Sequence, residues 1–233
     1  MTDTTREGLA YGIVVAAGRS ERMDGIDKVF AALMGRPLLV WTLAAFKQCD
    51  AIERVVVIAS PQSVQRIRDL CAEWRFDKVM AVVPGGEARQ DSVRAGLDEA
   101  EGAVIVAIHD AARPLVTPDL IARGVTLARE SGAALCAIPS RDTVKEVDGD
   151  PPVVRETPDR GRMWLAQTPQ VFDRMLLLDA HTRATSTATD DAALVEATGH
   201  LVRVYEGAAS NLKITTQEDL IVAEALLRER FAN

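Results

Sequence analysis

The chain has 233 residues, 48% of them hydrophobic and 26% charged, the balance of a soluble globular protein large enough to bury the core of one α/β domain. Its net charge of -7 excludes a general basic surface for nucleic acid or an acidic membrane, so any anionic ligand has to be held by a local cluster of cations. The 3 cysteines, Cys49, Cys71 and Cys136, are scattered and form no Cys-x-x-Cys, which excludes a disulfide framework or a thiolate metal site and fits a reducing, cytoplasmic setting.

The opening segment Met1–Ala10 is polar and mixed in charge, unlike a secretory signal, and no apolar run reaches the length of a membrane span. Tyr11–Ala17 is a continuous apolar run, as expected for a strand covered on both faces. Pro37–Cys49 reads as a helix with Leu38, Trp41, Leu43 and Ala45 along its apolar stripe; the stripe is assigned to the core. Arg54–Ala59 and Val79–Val83 read as strands and Pro61–Trp74 as a helix. A Gly-Gly turn and a helix near Ala88–Ala100 follow. Ala103–His109, Pro118–Ser131 and Ala133–Pro139 continue the strand–helix–strand rhythm. That alternation predicts a mostly parallel sheet with helices on both faces.

The rhythm breaks after Pro139. Thr143–Val147 and Val153–Glu156, separated by Asp-Gly-Asp-Pro-Pro, predict a projecting β-hairpin arm. A hairpin has little core of its own, so it is expected to pack on something, a second subunit being the natural candidate. Helices are expected over Pro169–Ala184 and Asp190–Thr198, a strand over Leu201–Glu206, and a last helix from near Thr216. Thr215 and Glu218 stand at capping-box spacing there. The expectation is a single domain over residues 1–233 with an arm at about 140–160.

Three segments carry chemistry. The first strand runs into Ala16-Ala17-Gly18, followed by Arg22 and Lys28. Small residues there let backbone N–H groups approach phosphate oxygens, and the two cations add mobile positive charge. Neither a Walker A nor a Gly-x-Gly-x-x-Gly pattern is present. Gly85-Gly86, with Ser92 further on, permits close approach to a flat base and offers a hydroxyl to its edge; a plain turn and helix start also favours such glycines. Asp110 closes the fourth strand, placed to hold Mg²⁺, and Arg113 is placed to bind a phosphate bidentately. The alternative for this pair is a buried structural Asp–Arg contact. His109 is assigned a positional role.

Ala-Ala-Gly-x-x-x-Arg-Met followed by a lysine resembles the signature of sugar-nucleotide-type nucleotidyltransferases, although Asp27-Lys28-Val29 stands where that signature has proline before the lysine and glutamine after it. Further segments follow in matching order: Pro139-Ser140-Arg141-Asp142-Thr143-Val144-Lys145, Asp159-Arg160, Trp164-Leu165-Ala166-Gln167-Thr168-Pro169-Gln170, Thr189-Asp190-Asp191 and Asn211-Leu212-Lys213-Ile214-Thr215. The ordered set resembles the 2-C-methyl-D-erythritol 4-phosphate cytidylyltransferase family, from Val14 to the last helix.

The resemblance implies a three-layer, Rossmann-like α/β nucleotidyltransferase fold, a homodimer built through the arm, and Mg²⁺-dependent transfer of CMP from CTP to methylerythritol phosphate. By position it implies that Arg22, Lys28 and Lys213 serve the transition state. Ala16, Ala17, Gly18, Gly85, Gly86 and Ser92 would form the cytidine site. Asp110, Arg113, Thr143, Arg160, Thr168 and Lys213 would surround the acceptor, with Thr143 and Arg160 completing the partner's site. Two alternatives share the loops: a ribitol-5-phosphate cytidylyltransferase and a non-catalytic nucleotide-binding module.

Overall fold

The structure is a computed structural model that describes residues 8–18 and 28–232. In chain order the elements are β1 (Ala10–Ala16), β2 (Ala32–Leu33), β3 (Arg36–Pro37), α1 (Leu38–Gln48), β4 (Arg54–Ala59), α2 (Val64–Glu73), β5 (Val79–Pro84) and α3 (Arg89–Glu99). They continue with β6 (Ile105–Asp110), α4 (Pro118–Ser131), β7 (Ala133–Pro139), β8 (Glu146–Asp148), β9 (Val153–Glu156) and β10 (Trp164–Asp173). The chain ends with α5 (Arg174–Arg183), α6 (Asp191–Ala197), β11 (Arg203–Glu206) and α7 (Gln217–Ala232).

A seven-stranded sheet runs in the order β11-β7-β10-β6-β1-β4-β5. β1 pairs in parallel with β4 and β6, β4 with β5, and β7 with β11; β10 alone runs antiparallel, between β6 and β7. The apolar runs in β1, β4 and β6 are buried almost throughout because helices cover both faces. α1, α2 and α4 supply Leu39, Phe46, Ile67, Leu120 and Ile121 to one core. α3, α5 and α6 supply Val93, Leu97, Leu177 and Val195 to the other. Gly12 in the middle of β1 lets α1 sit close: a Cβ there would stand 2.6 Å from the Phe46 ring. α7 adds a third patch with Leu33, Leu38, Leu115 and Ile214. Trp41 belongs to this packing, donating its indole N–H to the Leu33 carbonyl at 2.8 Å. No helix among the described residues is long and apolar enough to cross a membrane.

The expected three-layer α/β fold with a mostly parallel sheet is therefore present, and β8 and β9 form the separate hairpin. Two expectations need correction. The helix expected from Pro169 begins only at Arg174; Pro169–Asp173 is the second half of β10. Pro169, Gln170, Val171 and Phe172 are all buried between β6 and β7, so polar and apolar side chains do not alternate with exposure and there is no period to read. Asp173 makes the switch, its side chain accepting from the Leu176 amide to cap α5. The capping box of α7 is shifted by one residue from the expected Thr215–Glu218. Asp219 accepts from the amides of Thr215 and Thr216, and the Thr216 hydroxyl accepts from the Asp219 amide. Smaller boundary shifts occur as well: α2 starts at Val64, β8 at Glu146 and β11 at Arg203.

Candidate active site

The carboxyl ends of parallel strands form the ligand edge of such a sheet, at the point where strand order reverses. Here β1 is central, with β4 and β5 on one side and β6 on the other. The carboxyl end of β1, with Ala17, is thus flanked by the turn after β5 and by the end of β6.

On the β5 side Gly85, Ser92 and Ala17, three of the predicted nucleotide residues, converge. A Cβ on Gly85 would stand 2.6 Å from Ser92 Oγ and 2.7 Å from Ala17 Cβ, so only glycine allows the three segments to meet. Gly86 lies against Asp91, whose carboxylate accepts from the Ala88 amide at 3.0 Å and closes the first turn of α3. Ser92 is buried and donates to the Ala88 carbonyl. Lys28 is half-buried at the start of a short 3₁₀ turn, Lys28–Phe30. Val29, which departs from the expected pattern, is buried in the core beside α1. Arg22 and Asp27 lie outside the described residues.

On the β6 side a cleft of about 300 Å³ is lined by Arg89, Asp110, Arg113, Gln167, Thr168 and Lys213, with Ala166, Gln170, Thr189 and Asp190. A bulge in the β7–β10 pairing between Ala166 and Gln170 turns Gln167 and Thr168 toward it. Lys213 Nζ lies 2.7 Å from Asp110 Oδ2 and Arg89 Nε 3.4 Å from Asp110 Oδ1. Burial opposes the Asp110 charge, but Lys213 and then Arg89 more than offset it and hold the carboxyl at about 2. Arg89 reaches further, to Asp191 Oδ2 at 2.7 Å. Burial opposes its charge too, yet Asp191 and Asp110 leave its pKa raised.

Lys213 is anchored by its neighbours. Asn211 donates to Gln167 Oε1 and to the Thr168 carbonyl, and the Ile214 amide donates to the Ala112 carbonyl. Arg113 donates Nη1 to the Asn211 carbonyl at 2.8 Å and Nη2 to the Ala166 carbonyl at 3.4 Å, while its buried Nε has no partner among the described residues. The Asp110 carboxylate thus pairs with Arg89 and Lys213; Arg113 meets Asp110 through the backbone, its amide donating to the Asp110 carbonyl at 3.0 Å, and no side-chain ion pair joins the two.

His109 is wholly buried with both ring nitrogens engaged. Nε2 faces the Arg113 carbonyl at 3.2 Å, so it carries the proton. Nδ1 then accepts from the Thr168 hydroxyl at 3.0 Å, and that hydroxyl accepts from the Asp110 amide at 3.1 Å. Burial pushes the imidazole down to about 4, which keeps it neutral. Its positional role is therefore visible: it ties β6 to the bulge of β10.

As a Mg²⁺ site this donor set does not fit. Both Asp110 oxygens are engaged by cations, Asp191 is bound to Arg89, and Asp190 caps α6 while accepting from Gln170. No cluster of three or more acidic, histidine or cysteine side chains suited to a metal occurs among the described residues. Asp110 is a counter-ion here. Thr143 and Arg160 do not line the cleft; both are exposed on the arm, Arg160 donating to the Arg141 carbonyl. A larger hollow of about 470 Å³ lies beside the outer strand β5, lined by Met80, Val82, Val83 and Cys71, with Arg68 and Glu99 as its charges among the described residues. It lacks the convergent cations of the cleft. Arg89 and Asp191 escaped the sequence reading although both lie in segments it singled out. Arg89 directly follows the Gly-Gly turn in sequence, and nothing local shows that the start of α3 aims it across to the end of β6.

A family profile described as IspD, 2-C-methyl-D-erythritol 4-phosphate cytidylyltransferase, matches residues 11–229. The protein of that name from Dehalococcoides mccartyi is 42% identical over 217 residues, covering 93% of this chain and 95% of its own length. Among solved structures, 4-diphosphocytidyl-2C-methyl-D-erythritol synthase from Anaerococcus prevotii superposes with a TM-score of 0.84 at 30% identity, covering 95% of this chain and 99% of that one. The 2-C-methyl-D-erythritol 4-phosphate cytidylyltransferase of Thermus thermophilus gives 0.76 at 36% identity, covering 93% and 98%. With the match running from the first strand into the last helix, the chain belongs to the 2-C-methyl-D-erythritol 4-phosphate cytidylyltransferase family.

Proposed function

We propose that this chain transfers CMP from CTP to 2-C-methyl-D-erythritol 4-phosphate, releasing pyrophosphate, as a step of non-mevalonate isoprenoid precursor synthesis. The observation that carries the reading is the layout of the sheet edge. The Gly85–Ser92 turn and the Asp110–Lys213 cleft lie on either side of the carboxyl end of β1. A base and its acceptor are then held on opposite sides of a shared phosphate path.

The reaction brings two polyanions together, so charge repulsion is the obstacle. The attacking group is a phosphate-monoester oxygen with a second pKa of about 6, already ionised at neutral pH. It needs no general base, and His109 is unavailable as one because both its nitrogens are committed. Catalysis then rests on positioning and charge stabilisation. Lys28 and Arg22 serve the α-phosphate and the departing pyrophosphate. Lys213 exchanges Asp110 for the acceptor phosphate, and Arg113 and Thr168 line its seat. Nucleotidyltransferases of this family generally use a divalent metal; the donor set around Asp110, taken up by Lys213 and Arg89, does not offer it a site.

Within one chain the cleft is close to charge-balanced, with Arg89, Arg113 and Lys213 set against Asp110, Asp190 and Asp191. Additional cations have to come from Lys28, Arg22 and a second subunit. This favours a homodimer in which the arm carries Thr143 and Arg160 into the partner's cleft. The arm's Val147, Val153 and Val154 are all exposed, Val153 at 66%, and offer an apolar strip for that contact. The buried, unpaired cysteines accord with a cytoplasmic location. The test is pyrophosphate release with CTP and either methylerythritol phosphate or ribitol 5-phosphate, with ATP, GTP and UTP as controls. Release with CTP and methylerythritol phosphate alone supports the reading. A preference for ribitol 5-phosphate, or CTP binding without release, overturns it.

A further inference from the structure

Beneath the cleft, on the side away from solvent, a buried polar contact has no part in the mechanism above. His181, in the last turn of α5, points its Nε2 at Asp191 Oδ1, the first residue of α6, at 3.8 Å. The side chains are 3% and 1% exposed. Neither facing atom has a hydrogen-bond partner among the described residues. The other Asp191 oxygen holds Arg89 at 2.7 Å, and Arg89 continues to Asp110 and, through it, to Lys213. One continuous line of polar groups thus connects α5 to the cleft.

We propose that His181 is a positioning residue for acceptor binding: its Nε2–H meets Asp191 Oδ1 and, through that carboxylate, fixes Arg89 at the wall of the cleft. A carboxylate oxygen only accepts, so the nitrogen facing it has to carry the proton. Two buried polar atoms facing each other without other partners satisfy one another at the cost of a small side-chain rotation, whereas leaving both bare is expensive. Arg89 is held more tightly by Asp191 than by Asp110, so the orientation of Asp191 decides where the guanidinium points. Loss of the histidine leaves that carboxylate anchored on one side only, free to draw Arg89 away from Asp110 and to loosen Lys213 in turn. His181 touches no substrate and acts only through this line.

The inference rests on the reading of the cleft as the acceptor site, and the experiment separates the two. In the full-length protein, His181→Phe keeps the ring volume and removes the donor, while His181→Gln restores a donor near the same place. Steady-state pyrophosphate release should show the acceptor KM of His181→Phe raised roughly tenfold, the scale of one hydrogen bond to a charged group. Turnover and the KM for CTP should stay within about twofold. His181→Gln should recover most of the loss. In an Arg89→Ala background, where the acceptor KM is already raised, His181→Phe should add nothing. If Arg89→Ala leaves the acceptor KM unmoved, the reading of the cleft fails. If Arg89→Ala raises it and His181→Phe does not, the role of His181 alone fails. Should His181→Phe not fold, ¹⁵N spectra of the intact wild-type protein decide: a protonated, hydrogen-bonded Nε2 supports the inference, and a bare Nε2 with the proton on Nδ1 overturns it.

Discussion

Replacing Lys213 by alanine separates its two roles, which differ in size. Structurally, Lys213 is the stronger of the two cations that hold Asp110 near 2 rather than its ordinary 3.8. At ~1.4 kcal/mol per unit that depression corresponds to roughly 2.5 kcal/mol of stability at neutral pH. Arg89 supplies part of it, and Lys213 is 44% exposed, so solvent screening reduces its share to about 1 kcal/mol. The contribution of a depressed carboxyl is complete above its unfolded pKa and is lost as pH falls through the folded one. Urea denaturation should therefore show the variant about 1 kcal/mol weaker across pH 5–8, with the gap closing between the two Asp110 values. Catalytically, losing one preorganised cation at a phosphate costs about 2.7–4 kcal/mol of barrier, a hundred- to thousandfold in kcat/KM. Activity should thus fall far more than the folded population does. A variant that keeps wild-type kcat/KM, or a stability gap that persists undiminished at pH 2, would refute the reasoning.

Other outcomes follow from the same layout. Lys28→Ala should cut turnover about a hundredfold or more with a much smaller change in CTP affinity, read by combining steady-state kinetics with a CTP binding titration. Mixing Lys28→Ala with Arg160→Ala subunits should recover partial activity, because the mixed dimer holds one intact shared cleft; no recovery at any mixing ratio would argue against an arm that works in trans. Gly85→Ala drives a Cβ against Ser92 and Ala17, which should cost about 1–3 kcal/mol of stability. It should also raise the KM for CTP and leave that for the acceptor unchanged.

Much of the scaffold is legible in the amino-acid sequence because the parallel strands are short apolar runs punctuated by amphipathic helices. The apolar runs Tyr11–Ala17, Arg54–Ala59 and Ala133–Pro139 locate β1, β4 and β7, β1 being shifted by one residue to Ala10–Ala16. β10 cannot. Its second half is buried between two strands and carries no period, and an antiparallel strand inserted into a parallel sheet is a product of long-range pairing that no local pattern encodes. The site divides the same way. Asp110, Arg113, Thr168 and Lys213 meet in one cleft as their segments suggest. Arg89 and Asp191, 102 residues apart, form their ion pair only because α3 and α6 both begin at that cleft. The Mg²⁺ role read for Asp110 treats the aspartate as an isolated acid at a strand end. Its two cationic partners arrive from α3 and from the segment before α7, and they make it a counter-ion.

A crystal structure of the full-length protein soaked with methylerythritol phosphate and a non-hydrolysable CTP analogue would bear most directly on the arrangement described. The acceptor phosphate should lie within hydrogen-bond distance of Lys213 Nζ and Arg113, with the cytosine against Gly85 and Ser92. A phosphate bound on a different face, with the Lys213–Asp110 pair undisturbed, would contradict it.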